Sequence, residues 1–180
     1  MTHPPTLVLV TGLPGTGKST VATIVADIMQ TSVLGHDWAM SALRDYQPIQ
    51  DALGEIELGH RIVGWSILTS LGRAQLVEGR SVVLDGVARA AQRAHLRAVA
   101  DSTGARFVVI TTRCTDAEVH RARIDGRRRH IPNWYELRWE DVERSAATWE
   151  DTPGDLDLDS VDSPADQASA IRRLLSSKVS

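Results

Sequence analysis

The segment Gly12-Leu13-Pro14-Gly15-Thr16-Gly17-Lys18-Ser19, continued by Thr20, sets its glycines, lysine and hydroxyl in the order G-x-x-x-x-G-K-[ST]. Glycines at 12, 15 and 17 let a backbone curl with its amides pointing inward, and a helix starting there adds the positive end of its dipole. Such a cup holds phosphate oxygens. Lys18 supplies a point charge for the β- and γ-phosphates of a nucleoside triphosphate, and the Ser19 hydroxyl is placed for Mg²⁺, a hard ion that keeps several waters and takes few protein ligands. The nucleotide expected is ATP, because guanine selection by an Asn-Lys-x-Asp element is impossible in a chain whose only asparagine is Asn133.

Two carboxylates have the spacing to serve this loop. Asp85 follows the run Val82-Val83-Leu84, so it ends a strand where an open parallel sheet presents groups to a ligand, and it can hold a water of the Mg²⁺ shell or cap the next helix. Asp37 ends a shorter run and can face the acceptor as a general base, with His36 as a rival and helix capping as the plain alternative. Trp38 offers a substrate ring a flat wall, or packs in the core. Among Arg121, Arg123, Arg127, Arg128 and Arg129, the pair Arg123 and Arg127 stands four residues apart, one helical turn. It reads either as a mobile lid of about 121–134 that brings guanidiniums to the transferring phosphate, or as a solvated basic face.

These residues need a frame, and the apolar periodicity supplies one. Short aliphatic runs alternate with longer stretches of helical spacing, the pattern of a parallel sheet wrapped by helices. Strands are expected at Thr6 to Thr11, Ser32 to Gly35, Ser81 to Asp85, Arg106 to Thr112 and around Leu156 and Leu158. Helices are expected from Gly17 to about Gln30, with Val21, Ile24, Val25 and Ile28 on one face, from Ala88 to Ser102, from an Asp116 cap to about Arg129, from Tyr135 to Glu150, and from Pro164 to about Leu175. The stretch 37–79 reads as helical material broken at Pro48, with Ile56, Ile62, Val63, Ile67, Leu71 and Leu76 as its apolar face.

With 180 residues, 42% hydrophobic and 24% charged, the chain is expected to form one domain over 1–180. A net charge of −3 argues against wholesale coating of nucleic acid or an anionic membrane. The lone Cys114 reads as a buried small hydrophobe in a reducing cytoplasm. The run Leu7 to Val10 is too short to span a bilayer, and no signal peptide is recognisable.

The motif LVLVTGLPGTGKST, Asp37 after the second strand, VVLDGV with Asp85, and Arg123 with Arg127 together resemble the P-loop small-molecule kinases with an AAA-type ATP-binding domain. That group includes gluconate kinase, chloramphenicol phosphotransferase, the zeta-toxin kinases and the kinase domain of polynucleotide kinases. The resemblance implies a P-loop NTPase fold, a three-layer α/β/α sandwich with five parallel strands and a small helical lid. It implies ATP and Mg²⁺ as cofactors, Asp37 as the base, Arg123 and Arg127 as lid arginines, and acceptor-pocket helices within 37–79. The activity it implies is transfer of the γ-phosphate to a hydroxyl of a small molecule. Two alternatives stay open: an ATP-dependent switch acting on a partner, and a kinase for nucleic-acid 5′ ends using Arg127 to His130 with Trp134 and Tyr135, against which the net charge stands.

Overall fold

A strand buried on both faces needs an apolar side chain at every position, and Leu7, Val8, Leu9 and Val10 are all fully buried. The computed structural model describes residues 4–56 and 59–177. In chain order the elements are β1 (Thr6–Gly12), α1 (Lys18–Met29), β2 (Val33–Gly35), α2 (His36–Ala42), α3 (Gln47–Gly54), α4 (Gly59–Val77), β3 (Val82–Asp85), α5 (Ala90–Ser102), β4 (Arg106–Arg113), α6 (Ala117–Asp125), α7 (Trp139–Ala146), β5 (Leu156–Asp159) and α8 (Pro164–Ser176). The five strands form one parallel sheet in the order β2-β3-β1-β4-β5.

Side chains alternate across a strand, so the sheet divides the core in two. Leu7 and Leu9 pack with Val82, Leu84 and Val109 under Trp65, Leu68 and Leu76 of α4 and Leu96 and Val99 of α5. Val8 and Val10 pack with Val83, Val108 and Ile110 under Val21, Ala22, Val25 and Ala26 of α1 and Ile171 of α8. The result is the expected three-layer α/β/α arrangement. Because β1 lies between β3 and β4, the loop after it opens at the point where neighbouring connections diverge, the usual crevice for ligands in such sheets.

Several boundaries differ from expectation. The inward face of α4 is only partly the expected one: Ile62 and Leu71 are 56% and 50% exposed, and Ile56 just before the helix is 54% exposed. Leu76 packs inward as expected, joined by Trp65 and Leu68 and alongside Gly64 and Gly72. The glycines allow it, since a Cβ at Gly64 would lie 2.8 Å from Met40 Cγ. Pro48 opens α3 in its first turn, where its missing amide costs nothing. The expected helical stretch also spans residues 57 and 58, which lie outside the described residues.

Asp116 caps α6 as expected, its Oδ1 accepting from the amides of Glu118 and Val119 at 3.0 Å each. The helix stops at Asp125, not near Arg129; Gly126 favours a break, and a longer helix would stack Arg127 on the like charge of Arg123 one turn back. Likewise α7 begins at Trp139 rather than Tyr135, because Asp141 accepts from the Arg138 amide at 2.9 Å and sets the start there. It ends at Ala146, short of Glu150. Residues 127–138 are therefore coil rather than helix. Cys114 is half-exposed rather than buried, for it lies beyond the end of β4, with Sγ 3.4 Å from the Asp116 carbonyl oxygen.

Candidate functional site

The loop from Gly12 to Gly17 is held by contacts that only its sequence permits. Gly12, Gly15 and Gly17 have φ values of 152°, 82° and 85°, a region that L side chains rarely adopt. At Gly12 a Cβ would also lie 2.2 Å from the carbonyl oxygen of Thr112, its partner across β4. Thr16 Oγ1 donates to the Leu13 carbonyl at 2.7 Å and lies 2.8 Å from Thr112 Oγ1. His120 Nε2 donates to the Pro14 carbonyl at 2.7 Å, which ties α6 to the crest of the loop. Leu13 and Pro14 thus act through their carbonyls, while Thr20 lies exposed in the first turn of α1 beside the cleft.

Lys18 Nζ donates to the Leu13 carbonyl at 2.8 Å. Burial pulls its ammonium down to about 8, against the carboxylates of Asp85 and Asp37 and with the guanidiniums of Arg127 and Arg129. Ser19 Oγ donates to Asp85 Oδ2 at 2.9 Å. Burial holds the Asp85 carboxyl above its ordinary range; Lys18 and the Ser19 hydroxyl oppose that shift. The sheet register explains why these groups meet: Asp85 stands beside Val10 on β1 and beside Gly35 on β2. Gly35 in turn launches α2 with His36 and Asp37 at the same edge.

Loop, α2, α4 and the coil 127–138 enclose one cleft of about 1320 Å³. Asp37 and Trp38 line it, as do Lys18, Ser19, Asp85, Arg123 and Arg127. Trp38 is 56% exposed, so it is a wall of the cleft and not a core residue. His36 is buried: its Nε2 donates to the Arg61 carbonyl at 3.1 Å, and its ring stacks on Trp65 at 4.7 Å between centroids. A ring so packed positions its neighbours; Asp37 is the group exposed to the cleft.

Arg123 and Arg127 do not share a helix face, because Arg127 lies past the end of α6. Arg123 turns to Ser160, donating to Oγ at 2.6 Å and to the carbonyl at 2.9 Å. The residue facing Asp37 is Arg129, whose Nη2 forms an ion pair with Asp37 Oδ2. Its coil is fastened across the cleft, with Ser41 Oγ donating to the Pro132 carbonyl and Asn133 Nδ2 donating to Asp45 Oδ1. Sequence reasoning named Arg129 within the arginine run but not its pairing with Asp37, and it missed Arg44, which lies 4.8 Å from the Trp134 ring and 5.2 Å from that of Tyr135. Only the acid at Asp37, needing a counter-charge, hinted at such a partner.

Among the described residues no group of three or more His, Cys, Asp or Glu is arranged to hold a metal unaided. The Ser19–Asp85 contact does offer two oxygen donors beside the phosphate cup, a donor set that suits Mg²⁺. No described helix is long and apolar enough to cross a membrane.

Sheet order, phosphate loop and cleft together define a P-loop protein with the fold of the small-molecule kinases. The chain belongs to the AAA domain family, whose model matches residues 7–150. A sugar kinase from Janibacter sp. HTCC2649, in an unliganded structure, is similar with a TM-score of 0.69 and 22% identity, over 96% of this chain and 95% of that one. A gluconokinase from Sinorhizobium meliloti 1021 gives 0.66 and 20%, over 96% and 94%. The APS kinase of Mycobacterium tuberculosis in complex with AMPPNP and APS gives 0.66 and 22%, over 97% and 99%. At these identities the likeness is one of fold. No curated protein sequence matches the chain.

Proposed function

We propose that the chain is a kinase that moves the γ-phosphoryl group of ATP to a hydroxyl of a small molecule. The observation that carries this reading is the presence in one cleft of a phosphate loop with its Ser19–Asp85 pair and, on α2, a second carboxylate, Asp37, that belongs to neither. A carboxylate apart from the metal-binding oxygens is free to take a proton from an attacking hydroxyl, and a cleft of about 1320 Å³ leaves room for the molecule that carries it.

The loop amides and Lys18 hold the triphosphate, and the turn from Ser160 to Ser163, beside Gly17, receives the base end of the nucleotide. Ser19 and Asp85 hold Mg²⁺, which when bound neutralises phosphate charge. Arg129 engages Oδ2 of Asp37, and Oδ1 accepts the acceptor's proton. The acceptor oxygen then bonds to the γ-phosphorus as the bond to the β,γ-bridging oxygen breaks, and ADP carries away that electron pair. Arg127 stands in the cleft to meet the charge on the transferring group. The neighbouring kinases with sugar, gluconate or APS in their names accord with a small hydroxylated acceptor.

A coupled ADP-release screen against sugars, nucleosides and other hydroxylated metabolites tests the reading. With an accepted substrate, Asp37→Asn keeps ATP binding by calorimetry and loses about 10² to 10⁴ in kcat. Lys18→Ala weakens ATP binding as well. Full transfer by Asp37→Asn would remove the base, and turnover stimulated only by a protein partner would assign the chain to the switches.

A further inference from the structure

Arg61 of α4 and Arg89 at the start of α5 line the same cleft, yet neither has a part in holding the triphosphate or in facing Asp37. Resting on the kinase reading, we propose that the acceptor carries its own oxyanion, a carboxylate, phosphate or sulfate group, which Arg61 and Arg89 hold while its hydroxyl faces Asp37.

Both guanidiniums are half-buried without a carboxylate partner. Among the described residues the Arg61 side chain makes no hydrogen bond or ion pair, and Arg89 Nη2 donates only to Thr148 Oγ1, at 2.6 Å. The acids around the cleft have other partners: Arg129 holds Asp37, Arg144 holds Asp141 at 3.1 Å, and Glu150 Oε2 accepts from the Ala90 amide at 3.3 Å. Burial, and then the like charge of Arg89, depress the Arg61 guanidinium below its ordinary value. Two like-charged forks, half-buried in one cleft without a counter-charge, are costly alone and match an oxyanion in geometry.

The pair is also anchored. Arg61 is fixed through its carbonyl by the buried His36 ring, which a Cβ at Gly64 would meet at 2.9 Å. Arg89 is fixed through its amide, which donates to Gln92 Oε1 at 3.1 Å. A third donor, the Trp134 indole N–H, lines this cleft with its nitrogen buried and no partner among the described residues. A volume of about 1320 Å³ exceeds what one drug-sized ligand needs, roughly 300 to 1,000 Å³, and leaves room for a second molecule beside the nucleotide.

The test is a panel of matched compounds: hydroxy acids and their amides, sugar phosphates and their free sugars, sulfated alcohols and their parent alcohols. Each is assayed for ADP release and, in parallel, for calorimetric binding with a non-hydrolysable ATP analogue and Mg²⁺ present, so that the phosphate loop is filled. The three anionic arms separate the three oxyanions. At least one anionic member is expected to be phosphorylated in preference to its neutral partner. Arg61→Gln and Arg89→Gln each raise its KM by about ten- to a hundredfold and leave the KM for ATP unchanged; Arg61→Lys recovers part of the loss. Since Arg61→Gln removes no side-chain hydrogen bond among the described residues, the fold is expected to survive, which thermal melts check. Phosphorylation of neutral members with unaltered KM in both variants overturns the clamp and leaves the kinase standing. If nothing is phosphorylated but an anionic member binds the wild type and not the double variant, the clamp stands and the kinase reading falls. Absence of both binding and turnover across the anionic arms overturns the clamp.

Discussion

Two arginines that look equivalent in sequence have different neighbours. Arg123 is exposed and tied to the β5–α8 turn through Ser160, whereas Arg127 is half-buried, held below its ordinary value by burial and by Arg129. Their substitutions should separate accordingly. Arg127→Ala is expected to lower kcat by about 10³ to 10⁵ with a smaller change in ATP affinity, the signature of charge stabilisation in the transition state. Arg123→Ala is expected to raise the KM for ATP and leave kcat within a few-fold. Steady-state kinetics on both variants decide, and the reverse pattern would exchange their roles. The glycines of the loop could be read without the fold because a positive φ is a local demand; Arg129 could not, because its place opposite Asp37 depends on a coil fastened to Ser41 and Asp45.

At the scale of elements, α2 and α4 meet around a histidine. The His36 ring lies between the Arg61 carbonyl and Trp65, and Gly86 lets it approach β3, since a Cβ there would come within 2.8 Å of His36 Cβ. Burial holds the ring below its ordinary 6.5; the Arg61 carbonyl and Asp37 oppose the shift, and the Arg61 guanidinium adds to it. The unfolded chain therefore takes up this proton more readily than the fold. Stability is full above 6.5 and declines as the pH falls below it. A Tm series across that range should show a shallower acid slope for His36→Phe than for the wild type; equal slopes would clear His36 of the effect. The helix contact itself departs from what periodicity predicts, since Ile62 and Leu71 on α4 face outward while Gly64 and Gly72 join Trp65, Leu68 and Leu76 inward. Close approach of two backbones rewards a missing side chain, and hydrophobic spacing does not register that.

Across the whole molecule, stability comes from the two apolar layers divided by the sheet. Leu9 is fully buried under α4 and α5, so Leu9→Ala is expected to cost about 2 to 5 kcal/mol in denaturant unfolding. The last helix adds a polar fastening: Arg106 Nη1 and Nη2 donate to the carbonyls of Leu175 and Leu174 at 3.1 and 2.9 Å, which satisfies the open end of α8. Removing that fork should cost less than the leucine does. A loss from Leu9→Ala below about 1 kcal/mol would show that the layer collapses around the gap.

The sequence by itself determined the phosphate loop, the five parallel strands and the helices that cover them, because each rests on a short-range rule: φ at a glycine, an unbroken aliphatic run in a buried strand, apolar residues at helical spacing in a covering helix. The tertiary structure alone decided which arginines enter the cleft, which face of α4 packs inward and how His36 is enclosed. Those outcomes depend on where separate segments cross, and a guanidinium at the end of a long side chain takes its role from the acid it reaches, not from its distance along the chain.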